Sequence, residues 1–167
     1  MEDFFILKLS MFNFREYQAD IINKGVEIIS VYKFLYLAME VRTGKTLTSL
    51  GIASLIDSKE VLFITKKKAI SSIEDDYKLL KAKFNIVVIN YESLHKVKQT
   101  GWDLVVCDEA HTLGAFPKPN KRAKQVKEIL LRSNPYVILL SGTPTPESYS
   151  QMYHQLYGIT NSPFKRF

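Results

Sequence analysis

Five short apolar runs, rich in Val, Ile, Leu and aromatic residues, alternate along the chain with longer segments of helical character. They lack the strict alternation of a strand with one solvated face, so we expect both faces of each strand to be covered. This order predicts an α/β fold in which a parallel β-sheet is sandwiched between helices. The predicted strands are Phe34–Met39, Val61–Thr65, Ile86–Asn90, Leu104–Asp108 and Tyr136–Ser141. The predicted helices are Arg15–Ile29, Lys45–Leu55, Lys68–Lys81, Lys121–Arg132 and Glu147–Tyr157.

Length and charge narrow the class of protein. The 167 residues fit one domain with a sizeable core, and the net charge of +6 favours phosphate backbones or anionic surfaces as partners. The single cysteine, Cys107, excludes an internal disulfide. The start MEDFFILKLS is acidic where a signal peptide is basic, and no run approaches the ~20 apolar residues that span a bilayer. We therefore expect a cytoplasmic protein without membrane contact.

The segment MEVRTGKT, residues 39–46, ends like a phosphate-binding loop. The pattern G-x-x-x-x-G-K-[ST] has glycine where Met39 stands, but the segment follows a predicted strand and opens a predicted helix, as such a loop must. Loop N–H groups would face phosphates, Lys45 would reach the β and γ oxygens, and Thr46 would hold Mg²⁺. The alternative is a strand and a helix joined by a turn with a surface lysine.

Two further segments follow apolar strands. Asp108 and Glu109 are adjacent carboxylates, a costly arrangement at a buried edge unless a cation or a proton transfer uses them. Mg²⁺ at Asp108 and a water polarised by Glu109 would use both, and the alternative is a solvated acidic turn. SGTPTP, residues 141–146, is by itself only a turn. Because ligands bind beyond the carboxyl ends of parallel strands, we expect all these segments at one edge.

Outside the strand ends, FREYQ, residues 14–18, opens the first predicted helix. The amide of Gln18 offers a donor and an acceptor to an adenine edge, and the alternative is a helix-surface glutamine.

Basic residues suggest a path for nucleic acid. A lysine run follows the second predicted strand, where backbone phosphates would pass along the sheet edge. The residues of this run are Lys66, Lys67 and Lys68, and the weaker candidates for the same track are Asn90, Tyr91 and Ser93. A second basic cluster is interpreted as a solvated face. It consists of Lys118, Lys121, Arg122 and Lys124.

Taken together, these segments resemble the superfamily-two helicases and translocases, and within them the Swi/Snf-like branch with its small phage-encoded members. FREYQ resembles the Q-type motif of the family, TGKT its motif I, DEAH its motif II and SGTP its motif III. VLFITKKKAI and VVINYESL resemble the segments that line the family's DNA track. The resemblance covers nearly the whole chain in the right order. It implies a RecA-like P-loop lobe that uses ATP and Mg²⁺ and contacts duplex DNA.

The resemblance also implies residue roles. Gln18 would read adenine, while Glu109 would act on the attacking water. Mg²⁺ would be held by Thr46 and Asp108. His111 with Ser141 and Thr143 would couple the nucleotide state to DNA contact. The implied nucleotide-binding set is Arg15, Gln18, Arg42, Thr43, Gly44, Lys45 and Thr46, and the implied catalytic set is Lys45, Asp108, Glu109 and His111. The chain departs from the family at Arg42, where glycine is frequent, and near Lys66, where proline is frequent.

In this family a second lobe supplies arginine fingers across the cleft, and no sequence follows Phe167 to build one. We expect residues 1–167 to form the ATP-binding lobe of a helicase or duplex translocase. Hydrolysis would require a second RecA-like lobe, in the same protein or from a partner. The alternative is a non-catalytic module that keeps the lobe for DNA or protein contact, against which the retention of Lys45, Thr46, Asp108 and Glu109 argues.

Overall fold

A computed structural model of the protein describes residues 12–145, 148–157, 159 and 162–165. Within this part of the chain, five strands form one sheet in the order β1-β5-β4-β2-β3, and all neighbouring strands run parallel. The predicted α/β fold is thereby confirmed, and each predicted strand matches its observed bounds to within one residue. The strands are β1 (Phe34–Ala38), β2 (Glu60–Thr65), β3 (Asn85–Asn90), β4 (Leu104–Cys107) and β5 (Tyr136–Ser141).

Helices cover both faces of the sheet. They are α1 (Glu16–Tyr32), α2 (Lys45–Leu55), α3 (Ile70–Leu80), α4 (Lys121–Ser133) and α5 (Tyr153–Leu156). Buried side chains of α1, α2 and α3 form one core cluster with the sheet, and those of α4 form another, to which α5 adds Leu156. The double cover explains why the strands read as continuous apolar runs. Four 3₁₀ turns complete the described elements: Lys67–Ala69, Tyr91–Lys96, Ala110–Leu113 and Tyr149–Met152.

The predicted helix Glu147–Tyr157 was wrong in its extent. Ser148 has an extended backbone (φ −157°, ψ 160°), and a 3₁₀ turn followed by the four-residue α5 takes the place of one continuous helix. Glu147 lies outside the described residues. The side chain of Gln155 is fully buried and donates to Pro144 O at 3.0 Å, so the chain folds back onto the segment after β5.

Parallel register brings the carboxyl ends of the strands to one edge. Ala38 pairs with Ser141, Ile64 with Cys107, and Thr65 with Asn90. The phosphate-loop, DEAH and SGTP segments each follow one of these ends, so the fold places them at the same edge, as expected.

No helix in the described part of the chain is both long and apolar enough to cross a membrane.

Candidate nucleotide site

The loop between β1 and α2 has two residues in the left-handed region. Gly44, which precedes α2, has φ 81°, and a Cβ added there would overlap with Gln18 Nε2. Arg42 has φ 66°, so it adopts the backbone conformation that glycine would adopt without cost. An L-residue in this region carries a penalty of about 1–2 kcal/mol. Arginine in place of the family's frequent glycine at position 42 thus raises the conformational free energy of the loop backbone.

Two side chains of α1 hydrogen-bond to the same carbonyl group of this loop. Tyr17 OH donates to Thr43 O at 2.9 Å, and Gln18 Nε2 donates to the same oxygen at 3.3 Å. Gln18 Oε1 accepts from the backbone N–H of Arg15 at 3.0 Å, and the glutamine is buried. Gln18 therefore fastens α1 to the loop. Sequence reasoning missed Tyr17, although it stands next to Gln18 in the FREYQ segment.

Lys45 lies between the loop and the segment that follows β5. Its Nζ donates to Glu40 O at 3.2 Å and would lie 3.6 Å from a Cβ added to Gly142. Thr43 Oγ1 donates to the same Glu40 carbonyl at 2.7 Å. The Lys45 ammonium thus donates to a neutral acceptor, the Glu40 carbonyl oxygen, which a charged phosphate oxygen can replace.

Asp108 is held in a poorly solvated position. Its Oδ2 accepts from Thr65 Oγ1 at 2.7 Å. Burial raises the pKa of Asp108, and the Glu109 carboxylate adds to this, while the Thr65 hydrogen bond and the Lys45 charge oppose it. A carboxylate in this environment gains from a cation placed against it. Thr65 escaped sequence reasoning, because its pairing with Asp108 depends on how β2 and β4 are aligned.

Glu109 follows with a left-handed backbone, φ 52°. Its Oε1 lies 3.5 Å from Lys66 Nζ, and its Oε2 lies 3.4 Å from His111 Nδ1. The carboxylate is thus placed between a lysine that follows β2 and a histidine from its own segment.

The residues predicted to couple nucleotide and DNA lie together. His111 Nδ1 is 3.0 Å from Ser141 Oγ, and Ser141 Oγ accepts from the Thr143 N–H at 3.1 Å. A contact not anticipated from the sequence extends this set: Tyr36 OH donates to Gln155 Oε1 at 2.5 Å. Burial raises the pKa of Tyr36 to about 12, opposed by a hydrogen bond with Ser141. A polar chain therefore runs from the DEAH segment into α5.

The three lysines after β2 differ in exposure and in their contacts. Lys67 and Lys68 are exposed, whereas Lys66 is paired with Glu109. Tyr91 is only 1% exposed, and its OH donates to Asp108 O at 2.5 Å, so its ring is not accessible to nucleic acid. Asn90 Nδ2 donates to a Glu92 oxygen at 3.2 Å. Ser93 is partly exposed at the same turn.

The second basic cluster is mostly exposed, with one exception. Arg122 Nη2 lies 2.5 Å from Glu92 Oε1, and its guanidinium lies 5.3 Å from the centre of the Tyr91 ring. Arg122 therefore packs against the turn after β3. Lys118, Lys121 and Lys124 are exposed.

The residues present suit a magnesium ion that is shared with a nucleotide. The described residues contain no group of three His, Cys, Asp or Glu side chains able to hold a metal. Mg²⁺ typically takes only one or two protein ligands and completes its shell with phosphate oxygens and water. Asp108 offers a partly buried carboxylate for this purpose, and Thr46 offers a hydroxyl in the first turn of α2.

The SNF2-related domain family matches residues 59–167, well over half of the chain. The chain belongs to this family. The matched part includes the DEAH and SGTP segments and begins after Lys45, so the phosphate loop rests on the geometry described above. Among proteins of curated function, no sequence matches the chain.

Solved structures show the same fold at low sequence identity. The Sulfolobus solfataricus SWI2/SNF2 ATPase core, solved with double-stranded DNA, is 19% identical with a TM-score of 0.75, over 90% of this chain and 36% of that one. The Pyrococcus furiosus Hef helicase domain is 18% identical with a TM-score of 0.65, over 87% and 37%. The UvsW helicase of bacteriophage T4 is 15% identical with a TM-score of 0.62, over 92% and 64%. The SNF2-related domain therefore has the RecA-like fold of helicase cores, and the chain spans less than two thirds of each relative.

Proposed function

We propose that the protein is the ATP-binding lobe of a DNA-dependent ATPase, acting as a helicase or duplex DNA translocase. The observation that carries this proposal is the meeting of three segments at one sheet edge. Lys45 lies beside Gly142, and His111 contacts Ser141, so the phosphate loop, the DEAH segment and the SGTP segment adjoin one another. This is the arrangement that phosphoryl transfer needs: donors for phosphate, a carboxylate for a cation and a carboxylate for water.

The roles follow from the surroundings of each side chain. The N–H groups at the start of α2 would receive the phosphates, and Lys45 would leave Glu40 O for the β and γ oxygens. Glu109 would orient a water for in-line attack on the γ-phosphorus and accept its proton as the bond to ADP breaks. Asp108 and Thr46 would hold Mg²⁺, which would supply positive charge to the β and γ phosphates. At the start of α1, Arg15 and Gln18 would contact the adenine, and the Gln18 amide would exchange its contacts with the Arg15 N–H and Thr43 O for the base.

DNA and a second lobe complete the proposal. The exposed Lys67 and Lys68 and the net charge of +6 support contact with a phosphate backbone, and the Sulfolobus relative was solved with duplex DNA. Because the chain spans about a third of that ATPase core, a second RecA-like lobe in the same protein or from a partner would close the site. A cytoplasmic location, where ATP and DNA are both present, goes with this function.

The test is a calorimetric titration of the protein with Mg·ATP and Mg·ADP, with and without duplex DNA. We expect weak nucleotide binding that Lys45→Ala abolishes and that Lys24→Ala, an exposed lysine on α1, leaves unchanged. Equal binding by the Lys45→Ala variant would remove the phosphate-loop interpretation. DNA binding without any nucleotide binding would favour the non-catalytic module instead.

A further inference from the structure

Glu109 is held by a lysine from the segment proposed to contact DNA. Lys66 Nζ lies 3.5 Å from Glu109 Oε1, and the side chains are 41% and 35% exposed. The pair therefore lies at the surface of the sheet edge, within reach of solvent and of an approaching phosphate. The carboxylate that would orient water and the ammonium that would meet DNA are bound to each other.

The position of Lys66 in the chain fixes this contact. Lys66 directly follows Thr65, whose hydroxyl donates to Asp108, so the end of β2 is tied to the DEAH segment by neighbouring residues. The backbone carbonyl of Lys66 accepts from the Ala69 N–H at 2.9 Å. This hydrogen bond begins the 3₁₀ turn that carries the exposed Lys67 and Lys68. Lys66 thus stands between the catalytic carboxylate and the exposed basic turn.

We propose that Lys66 is shared between Glu109 and a nucleic-acid phosphate. Without DNA, Lys66 occupies a carboxylate oxygen of Glu109, and that oxygen is less available to a water. When DNA binds, Lys66 turns to a backbone phosphate and releases Glu109 for catalysis. This inference rests on the proposed function and adds the means by which DNA regulates it.

The energetics permit the exchange. A partly exposed ion pair contributes little net stability, so a phosphate can replace the carboxylate at small cost. A phosphate also brings counterion release, which an internal carboxylate does not. The released Glu109 keeps a neighbour, because its other oxygen lies 3.4 Å from His111 Nδ1. It therefore stays in the site after Lys66 has left.

The chain offers a matched control. Lys67 is the next residue, lies in the same 3₁₀ turn and is exposed, and no ion pair involving it occurs within the described residues. Neutralising Lys67 should weaken DNA binding through charge alone. Neutralising Lys66 should also abolish the competition with Glu109.

The experiment measures binding of a fluorescein-labelled DNA duplex by anisotropy at one fixed salt concentration. We expect Glu109→Gln to raise DNA affinity about two- to fivefold in the wild-type and Lys67→Gln backgrounds, the range that an ion pair of this exposure spans. In the Lys66→Gln background the same change should have a clearly smaller effect on DNA affinity, because Glu109 then has no Lys66 to compete for. If Glu109→Gln raised DNA affinity equally in the Lys66→Gln and Lys67→Gln backgrounds, the gain would reflect net charge alone and the proposal would be overturned.

The readout is binding rather than hydrolysis, so the inference can fail separately from the proposed function. A protein that binds DNA but shows no coupling between positions 66 and 109 would refute the shared lysine and leave the ATPase proposal standing. A protein that binds no DNA would refute both. Thermal melts check that each variant is folded, and Lys66→Met, which keeps most of the apolar stem, replaces Lys66→Gln if that variant does not fold.

Discussion

His111 Nδ1 lies 3.0 Å from Ser141 Oγ, so the segment after β4 and the segment after β5 are in direct contact. The same nitrogen is 3.4 Å from Glu109 Oε2, and the serine oxygen accepts from the Thr143 N–H. A displacement of the SGTP segment would therefore reach the Glu109 carboxylate through two contacts. This series of contacts is a physical route by which groups beyond β5 would affect the proposed hydrolysis.

Gly44→Ala tests the contact between α1 and the phosphate loop. We expect a loss of about 2 kcal/mol or more, because alanine is disfavoured at φ 81° and its Cβ would overlap with Gln18 Nε2. Gln18→Ala removes the obstacle but not the backbone penalty. In urea unfolding, the double variant should therefore lose less stability than the sum of the two single variants. Strict additivity would show that Gln18 does not lie over Gly44.

Arg42 tests the departure from the family in the phosphate loop. Arg42→Gly should keep nucleotide binding, because glycine adopts φ 66° without penalty. Arg42→Val should weaken binding several-fold, since a β-branched residue is least tolerated in this region. The two variants are compared by calorimetry with Mg·ADP. Equal affinities for glycine and valine would mean that the left-handed backbone at this position is not needed for phosphate binding.

The sheet and the position of the motifs could be predicted from the sequence for a physical reason. A parallel sheet covered on both faces leaves continuous apolar runs, and polar residues directly after such runs must lie at the carboxyl edge. The side-chain pairs at that edge could not be predicted in the same way. Thr65 meets Asp108, and Lys66 meets Glu109, only because β2 adjoins β4, and strand order is not encoded in any local pattern.

Tyr91 and Gln155 show the same limit on a smaller scale. Tyr91 follows β3 and was a candidate for the DNA track, yet it turns inward and donates to Asp108 O. Gln155 lies in a segment with helical character, yet its contacts with Pro144 and Tyr36 bend that segment back onto the sheet edge. In both cases a buried polar contact with a distant residue overrides the local pattern.

Asp108→Asn should stabilise the protein at neutral pH. Burial raises the pKa of Asp108, so the unfolded chain ionises at lower pH than the folded one. The contribution of this carboxyl to the stability of the wild type is therefore fully present below the ordinary carboxyl pKa of about 4 and is lost as pH rises through the raised folded value. The asparagine variant lacks this loss. Its melting temperature should exceed that of the wild type near pH 7.5, and the gain should shrink as the pH falls toward 4.

The matched control is Asp20→Asn, which removes an exposed carboxylate from α1. A gain at Asp108 that is independent of pH, or one that Asp20→Asn reproduces, would contradict the assignment of the effect to the partly buried carboxyl.

Nucleotide binding provides the opposite readout. The same Asp108→Asn change should weaken Mg·ATP binding, because the amide lacks the negative charge that the proposed Mg²⁺ ligand would supply.

Hydrolysis should depend on a second lobe. Arginine fingers are worth about 10³–10⁵ in rate for this class of phosphoryl transfer, so the 167-residue chain alone should be nearly inert, even when saturated with duplex DNA. Joined to a matching second RecA-like lobe, or mixed with one, it should hydrolyse ATP in a DNA-stimulated way. Phosphate release by the purified chain, with and without that lobe, measures both states.

In the completed enzyme, Glu109→Gln should stop turnover and leave Mg·ATP binding intact, because the amide keeps the shape of the side chain but cannot accept the proton of the attacking water. Glu27→Gln, an exposed position on α1, should change neither quantity. Robust phosphate release by the isolated chain, lost in the Glu109→Gln variant, would show that this lobe carries everything hydrolysis needs. The charge that an arginine finger would neutralise on the transferring phosphoryl group must then be met by cations of this chain, of which Lys45 in the phosphate loop is the first candidate.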